Sequence, residues 1–191
     1  MGKVHKQIQE WLISTECLDI LRKEHGVKID DAQSGDEQQL EIIRKKEMTV
    51  PWNPDVTYKM KNGTYYIIEI AFEEDWRAKL GELLLAYLHP DVSFIHWIVK
   101  EKKDKGAIRR QNREIEKIKS MTTILYHQFN TRYEIQKDKK IGEKFKEMWH
   151  EENRYKRQWY HHDNQISIIN PDQNFEGIKK EIREKVFPVL E

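Results

Sequence analysis

The segment VTYKMKNGTYYIIEIA, residues 56 to 71, constrains the fold more than any other part of the chain. Two runs rich in β-branched and aromatic residues flank Asn62-Gly63, a pair suited to the left-handed conformations of a hairpin turn. Burial then argues the register, because slipping one strand by a single residue moves its whole apolar set to the opposite face. A two-residue loop would pair Val56 with Glu69 and Tyr58 with Ile67, mixing charged and apolar side chains on each face. A loop of odd length instead pairs Val56 with Ile70, Tyr58 with Ile68 and Met60 with Tyr66, giving one wholly apolar face. The second register is therefore expected. Its other face carries Asp55, Thr57 and Lys59 beside Glu69 and Ala71, which makes Asp55 and Glu69 diagonal neighbours.

Elements on either side of the hairpin follow from periodicity. Val4, Ile8, Trp11, Leu12, Leu18 and Leu21 recur at helical spacing, with His5, Lys6, Gln9 and Glu10 on the other side. This pattern predicts one amphipathic helix or two short ones, ending near Gly26. A short strand at Val27 to Ile29 leads into a loop through residue 39, and Leu40 to Lys46 could form another strand. From Asp75, a candidate N-cap, Trp76, Leu80, Leu83, Leu84, Tyr87 and Leu88 form the apolar stripe of a helix stopped by His89-Pro90. VSFIHWIV, residues 92 to 99, reads as a buried strand, the charged stretch after it as loop and helix, and TTILYHQF, residues 122 to 129, as a further strand. Residues 138 to 160 read as a polar helix and Phe175 to Leu190 as a final amphipathic one. The expected architecture is a mixed α/β sandwich around a central sheet, with residues 1–135 as the core and residues 136–191 as a helical extension packed on it within one domain.

Composition narrows the class of function. Charged residues make up 35% of the chain, yet six Trp, eight Tyr and six Phe supply enough apolar surface for a core under a charged shell. The formal net charge of +1 neither demands nor excludes nucleic acid, because basic and acidic stretches alternate. Cys17 is alone, which rules out a disulfide within the chain and a thiolate zinc cluster. MGKVHKQIQEWL lacks the apolar region of a signal peptide, and no run of apolar residues is long enough to span a bilayer, so a cytoplasmic protein with no membrane partner is expected. Neither a Gly-rich phosphate loop nor a Gly-x-Ser-x-Gly nucleophile motif is present, so the sequence gives nucleotide-cofactor and serine-hydrolase readings no support.

Two carboxylates on one sheet face form a site for a hard cation such as Mg²⁺ or Mn²⁺, which can polarise a phosphodiester. A nearby lysine would steady the charge that develops on phosphate. The same acids also fit a plainer arrangement, with Asp55 as a turn residue and Glu69 paired with Lys59. Two basic clusters could follow a phosphate backbone. One is Arg109, Arg110 and Arg113; the other is NRYKRQWYHHD, with Arg154 and Arg157 interleaved among aromatics. A solvated helix face with Tyr155 and Trp159 turned inward explains the second cluster equally well.

The order of these features resembles the PD-(D/E)xK nuclease superfamily over roughly residues 4 to 130: a leading helix, Pro-Asp at a strand start, a hairpin, "IIE" in the next strand, and "GELLLAY" in an amphipathic helix before another apolar strand. The resemblance implies a restriction-endonuclease-like fold, a divalent metal and phosphodiester hydrolysis of DNA, often by homodimers. By position, Asp55 and Glu69 match the motif's two metal ligands and Glu10 a glutamate found on the first helix in some branches, while Glu82 replaces a glutamine of some members and is either a further acid of the metal shell or a surface glutamate. Where the motif carries lysine this chain has Ala71. Lys79 is then the expected substitute and Lys59 the second choice, while loss of catalysis with retention of DNA binding is the alternative.

Overall fold

The computed structural model describes residues 2–35, 40–41, 51–72, 81–82, 92–138 and 166–190. Its centre is an open five-stranded mixed sheet with strand order β1-β4-β5-β6-β7, formed by β1 (Ile29–Ser34), β4 (Val56–Met60), β5 (Tyr65–Ala71), β6 (Val92–Lys100) and β7 (Ile166–Ile169). Strands β2 (Leu40–Glu41) and β3 (Pro51–Trp52) make a separate two-stranded ladder. The described helices are α1 (Lys3–Leu12), α2 (Thr15–Glu24), α3 (Lys105–Asp138) and α4 (Phe175–Lys185), followed by a 3₁₀ turn at Phe187–Val189. Strand β4 runs antiparallel to both of its neighbours, β1 and β5, while β5, β6 and β7 are parallel.

The hairpin forms with the expected faces but a different register. Val56 pairs with Ile68, Tyr58 with Tyr66 and Lys59 with Tyr65, two residues away from the pairing that the odd-length loop suggested. Its loop is closed at Met60, whose N–H donates to Thr64 O at 2.8 Å and whose carbonyl accepts from Gly63 N at 2.8 Å. Gly63 sits at φ +82°, and the Asn62 carboxamide oxygen accepts from the Thr64 N–H and hydroxyl. A shift of two residues preserves which side chains share a face, so the burial argument survives it. Extending the observed register places Asp55 directly opposite Glu69.

One sheet face carries Val56, Tyr58, Ile68, Ile70, Phe94 and Ile98, packed with Ile8 and Leu12 of α1, Leu21 of α2, and Ile178 and Ile182 of α4. The opposite face is also buried at Ile67, Ile95, Trp97 and Val99, which is why β5 and β6 read as nearly continuous apolar runs. The two N-terminal helices are separated at Ile13-Ser14, where the Ser14 hydroxyl caps α2 by accepting from Cys17 N. Cys17 itself is sealed in this core, and burial pushes its thiol pKa up to about 12. Tyr58, also inside, donates its hydroxyl to Leu12 O at 2.9 Å.

Three expectations are corrected here. Residues 122–129 belong to α3 rather than to a strand. The fifth strand of the sheet is instead Ile166–Ile169, inside the segment expected to be helical, and α4 after it contributes to the central core. The strand predicted at Val27 to Ile29 starts at Ile29 and runs to Ser34, with a bulge between Ile29 and Asp31. Of the expected helix from Asp75 only Gly81 and Glu82 are described, and both are helical; the rest of it, residues 139–160 of the expected polar helix and most of the strand from Leu40 to Lys46 lie outside the described residues.

Because Ile182 is fully buried in the core, Ile182→Ala should lower unfolding free energy by roughly 2–5 kcal/mol in urea titrations. A loss below about 0.5 kcal/mol, the size of a surface effect, would show that the C-terminal segment is not part of that core.

Candidate functional site

Asp55 stands just before β4 and is tied to its surroundings through both backbone and side chain. Its carbonyl accepts from Gly35 N at 3.1 Å and from the Gln9 carboxamide at 2.8 Å. Its carboxylate accepts from Ile70 N through Oδ2 at 2.7 Å and from His5 Nε2 through Oδ1 at 2.9 Å. Its own N–H points at Glu69 Oε2, 3.4 Å away. The first helix, the end of β1, the start of β4 and the end of β5 therefore converge on one residue.

Local sequence explains the convergence. Pro54 biases the chain before it toward extended geometry and is itself buried. Gly35 permits a close approach of the β1 end, since a Cβ there would lie 2.5 Å from the Pro54 carbonyl oxygen. His5 and Gln9 are one helical turn apart, so both reach Asp55 from the same side of α1. Neither was singled out by the motif pattern. Their signal in the sequence is two polar hydrogen-bonding residues at i and i+4 beside an apolar stripe, and Gln9 is buried despite its polarity.

Asp55 and His5 line a groove of about 580 Å³ at the C-terminal ends of β5 and β6. Asp55, Glu69 and Glu82 bring three carboxylates to it, and Lys3 and Lys100 bring ammonium groups. Glu69 is 5% exposed, and Glu82 Oε2 accepts from Trp97 Nε1 at 3.3 Å. Phe72 forms part of the wall and stands edge-on to the His5 ring. Asp172, beyond β7, closes another side; Lys103 at 2.9 Å, then Lys100, hold its carboxyl below the usual carboxylate range. Crevices beyond the carboxyl ends of parallel strands are where open α/β sheets bind ligands.

The predicted site residues divide sharply. The structure brings Asp55, Glu69 and Glu82 to one groove, although among the described residues no three His, Cys, Asp or Glu side chains stand close enough to form a preassembled metal cluster. Glu10 does not reach the groove: its side chain is largely exposed and lies 3.9 Å from Lys6. Lys59 is exposed on β4 and is not part of the lining. Ala71 is 2% exposed, so a buried methyl occupies the position where the motif has lysine. Arg109, Arg110 and Arg113 are exposed on α3 away from the groove lining, whereas Lys79, Arg154 and Arg157 lie outside the described residues. Among the described residues no helix is long and apolar enough to cross a membrane. No protein-family model matches the chain, nor does any curated protein or solved structure.

Two outcomes test this geometry. Asp55→Ala should cost about 1–3 kcal/mol of stability by leaving the Ile70 N–H without its acceptor, whereas Glu10→Ala should stay within about 0.5 kcal/mol; equal effects in chemical denaturation would contradict the placement. For Asp172, a depressed folded-state pKa means that its stabilising contribution is present above the ordinary carboxylate value of 3.8 and is lost as pH falls through the folded-state value. Lys103→Met should therefore raise the Asp172 titration midpoint seen by NMR, and an unchanged midpoint would refute the pairing.

Proposed function

We propose that this protein is a metal-dependent deoxyribonuclease of restriction-endonuclease-like fold, acting within the cytoplasm on a phosphodiester held in the groove at the ends of β5 and β6. The observation that carries the reading is the junction of Asp55 and Glu69, where the Asp55 N–H points at Glu69 Oε2 at 3.4 Å and both residues line one groove. The donor chemistry fits Mg²⁺ or Mn²⁺. Each carboxylate oxygen has two lone pairs, so Asp55 can accept from His5 and Ile70 and still offer oxygen to a cation. Asp55 and Glu69 would hold the ion, with Glu82 on the adjoining wall. When bound, such an ion polarises the phosphodiester and activates water.

The chain's own residues do the positioning. His5 and Gln9 hold Asp55 from α1, and the Ile70 amide orients its carboxylate. The exposed arginines of α3 would supply non-specific phosphate contacts, and a homodimer would present two grooves to the two strands of a duplex. A second reading, a DNA-binding protein that keeps this fold without catalysis, is favoured by Ala71.

Glu69→Gln is nearly isosteric and should abolish Mg²⁺-dependent cleavage of plasmid and linear DNA, lowering the rate by about 10²-fold or more. Cleavage at the unaltered rate would sink the nuclease reading. Salt-sensitive DNA binding by the unaltered protein, with no cleavage in Mg²⁺ or Mn²⁺, would establish the second.

A further inference from the structure

We propose that the α1 side of this groove is a subsite for an unpaired nucleobase held against the ring of Phe72, which makes single strands and frayed ends better substrates than intact duplex; the inference rests on the reading of the groove as a phosphodiester site. Topology divides the groove first. Ala71 and Val99 form the last rung of the β5-β6 ladder, and alternate residues of a strand share a face. Phe72 therefore follows Ile70 onto the face where α1 packs, while Glu69 lies on the other. Phe72 rests partly against the core and also lines the groove. The groove thus wraps the end of the sheet, with Glu69 on one side, Phe72 on the other, and Asp55 between them, bonded to Ile70 N and to His5. Three residues of strand, about 10 Å, separate Glu69 from Phe72. A strand whose phosphate lies by the carboxylates brings a neighbouring base to the ring.

The second argument is the chemistry of the α1 side. Its wall includes Val4, Ile70, Phe72 and Pro171, an apolar surface that suits the face of a base better than a phosphate. The charges at its rim are already matched, since Asp172 lies 2.9 Å from Lys103 and 3.5 Å from Lys100. The third argument is the ring itself. Among the described residues the aromatic beside Phe72 is His5, 6.4 Å away at 77°, so no ring lies parallel on Phe72. Bases of any sequence stack on such a ring. Inside a duplex both faces of a base are covered by its neighbours, and it reaches an aromatic side chain only when extruded, at an unstacking cost that a single strand avoids. At about 580 Å³ the groove has the size of a site for one small molecule, enough for a nucleotide but not for a duplex.

The test measures binding in Ca²⁺ by fluorescence anisotropy, and cleavage in Mg²⁺, with a short single strand, the matching duplex, and a set of single strands each carrying one abasic residue. The unaltered protein should bind the single strand about tenfold more tightly than the duplex, and one abasic position should weaken binding about tenfold although every phosphate is kept. Phe72→Leu should lose the same tenfold and no longer respond to that abasic residue, with the slope of log affinity against log salt unchanged because the ring contacts no phosphate. Phe72→Tyr should keep the response. Equal affinity for single strand and duplex overturns the proposal, as does an abasic series without effect in the unaltered protein, or a Phe72→Leu protein that still responds to the abasic residue. Base-dependent binding without cleavage leaves the subsite standing and sinks the nuclease reading. Cleavage with a flat abasic series does the reverse, and a protein that neither binds nor cuts sinks both.

Discussion

The hydrogen bond from Ile70 N to the Asp55 carboxylate is the contact on which the arrangement of the groove depends. It continues the β4-β5 pairing past the end of the ladder with a side chain in place of a backbone carbonyl. Because the same carboxylate accepts from His5 and the same residue's carbonyl accepts from Gln9, docking of α1 and closure of the sheet edge are coupled. A carboxylate held by several donors has a fixed orientation, which under the proposed reading would leave little to reorganise on cation binding. The cost is that Asp55 cannot be removed without loosening the helix and the strand together, which is why an isosteric change at Glu69 separates chemistry from folding more cleanly.

Parallel pairing of β5 with β6 sets the rest. It brings the ends of two buried strands side by side, so that Glu69 and Lys100 both border the groove, from opposite faces of the sheet. A lysine at position 71 would have to emerge from a place that is 2% exposed, and the methyl there lets the strand end pack closely. Positive charge at the groove instead comes from its rim, at Lys3 and Lys100.

Much of this was legible in the sequence because strand patterning has a period of two. Faces could be assigned from burial alone, and Asp55 and Glu69 fell together in consequence. The register itself could not be assigned that way. A three-residue loop, Lys61 to Gly63, and a longer odd loop put the same side chains on the same faces, and the choice between them lies in Gly63 at φ +82° and the Asn62 side-chain bonds. The strand expected at TTILYHQF failed because its β-branched and aromatic residues continue a long helix begun at Lys105; local preference gave way to context. Ile166–Ile169 is not legible in the sequence because four residues carry too little alternation to stand out. His5 and Gln9 were assigned to the polar side of α1, and only the approach of the helix to Asp55 gives them a task. Glu10, chosen by analogy, is one position past Gln9 and therefore turned toward solvent.

The nuclease reading requires Asp55 and Glu69 to hold a divalent cation together. Anomalous diffraction from crystals soaked in Mn²⁺ tests it directly, since the ion can be located without reference to activity. The expected peak lies within a coordination distance of about 2.0–2.3 Å from oxygens of both carboxylates. A Mn²⁺ peak elsewhere, with the His5–Asp55 contact intact and the groove without an ion at saturating metal, would contradict it.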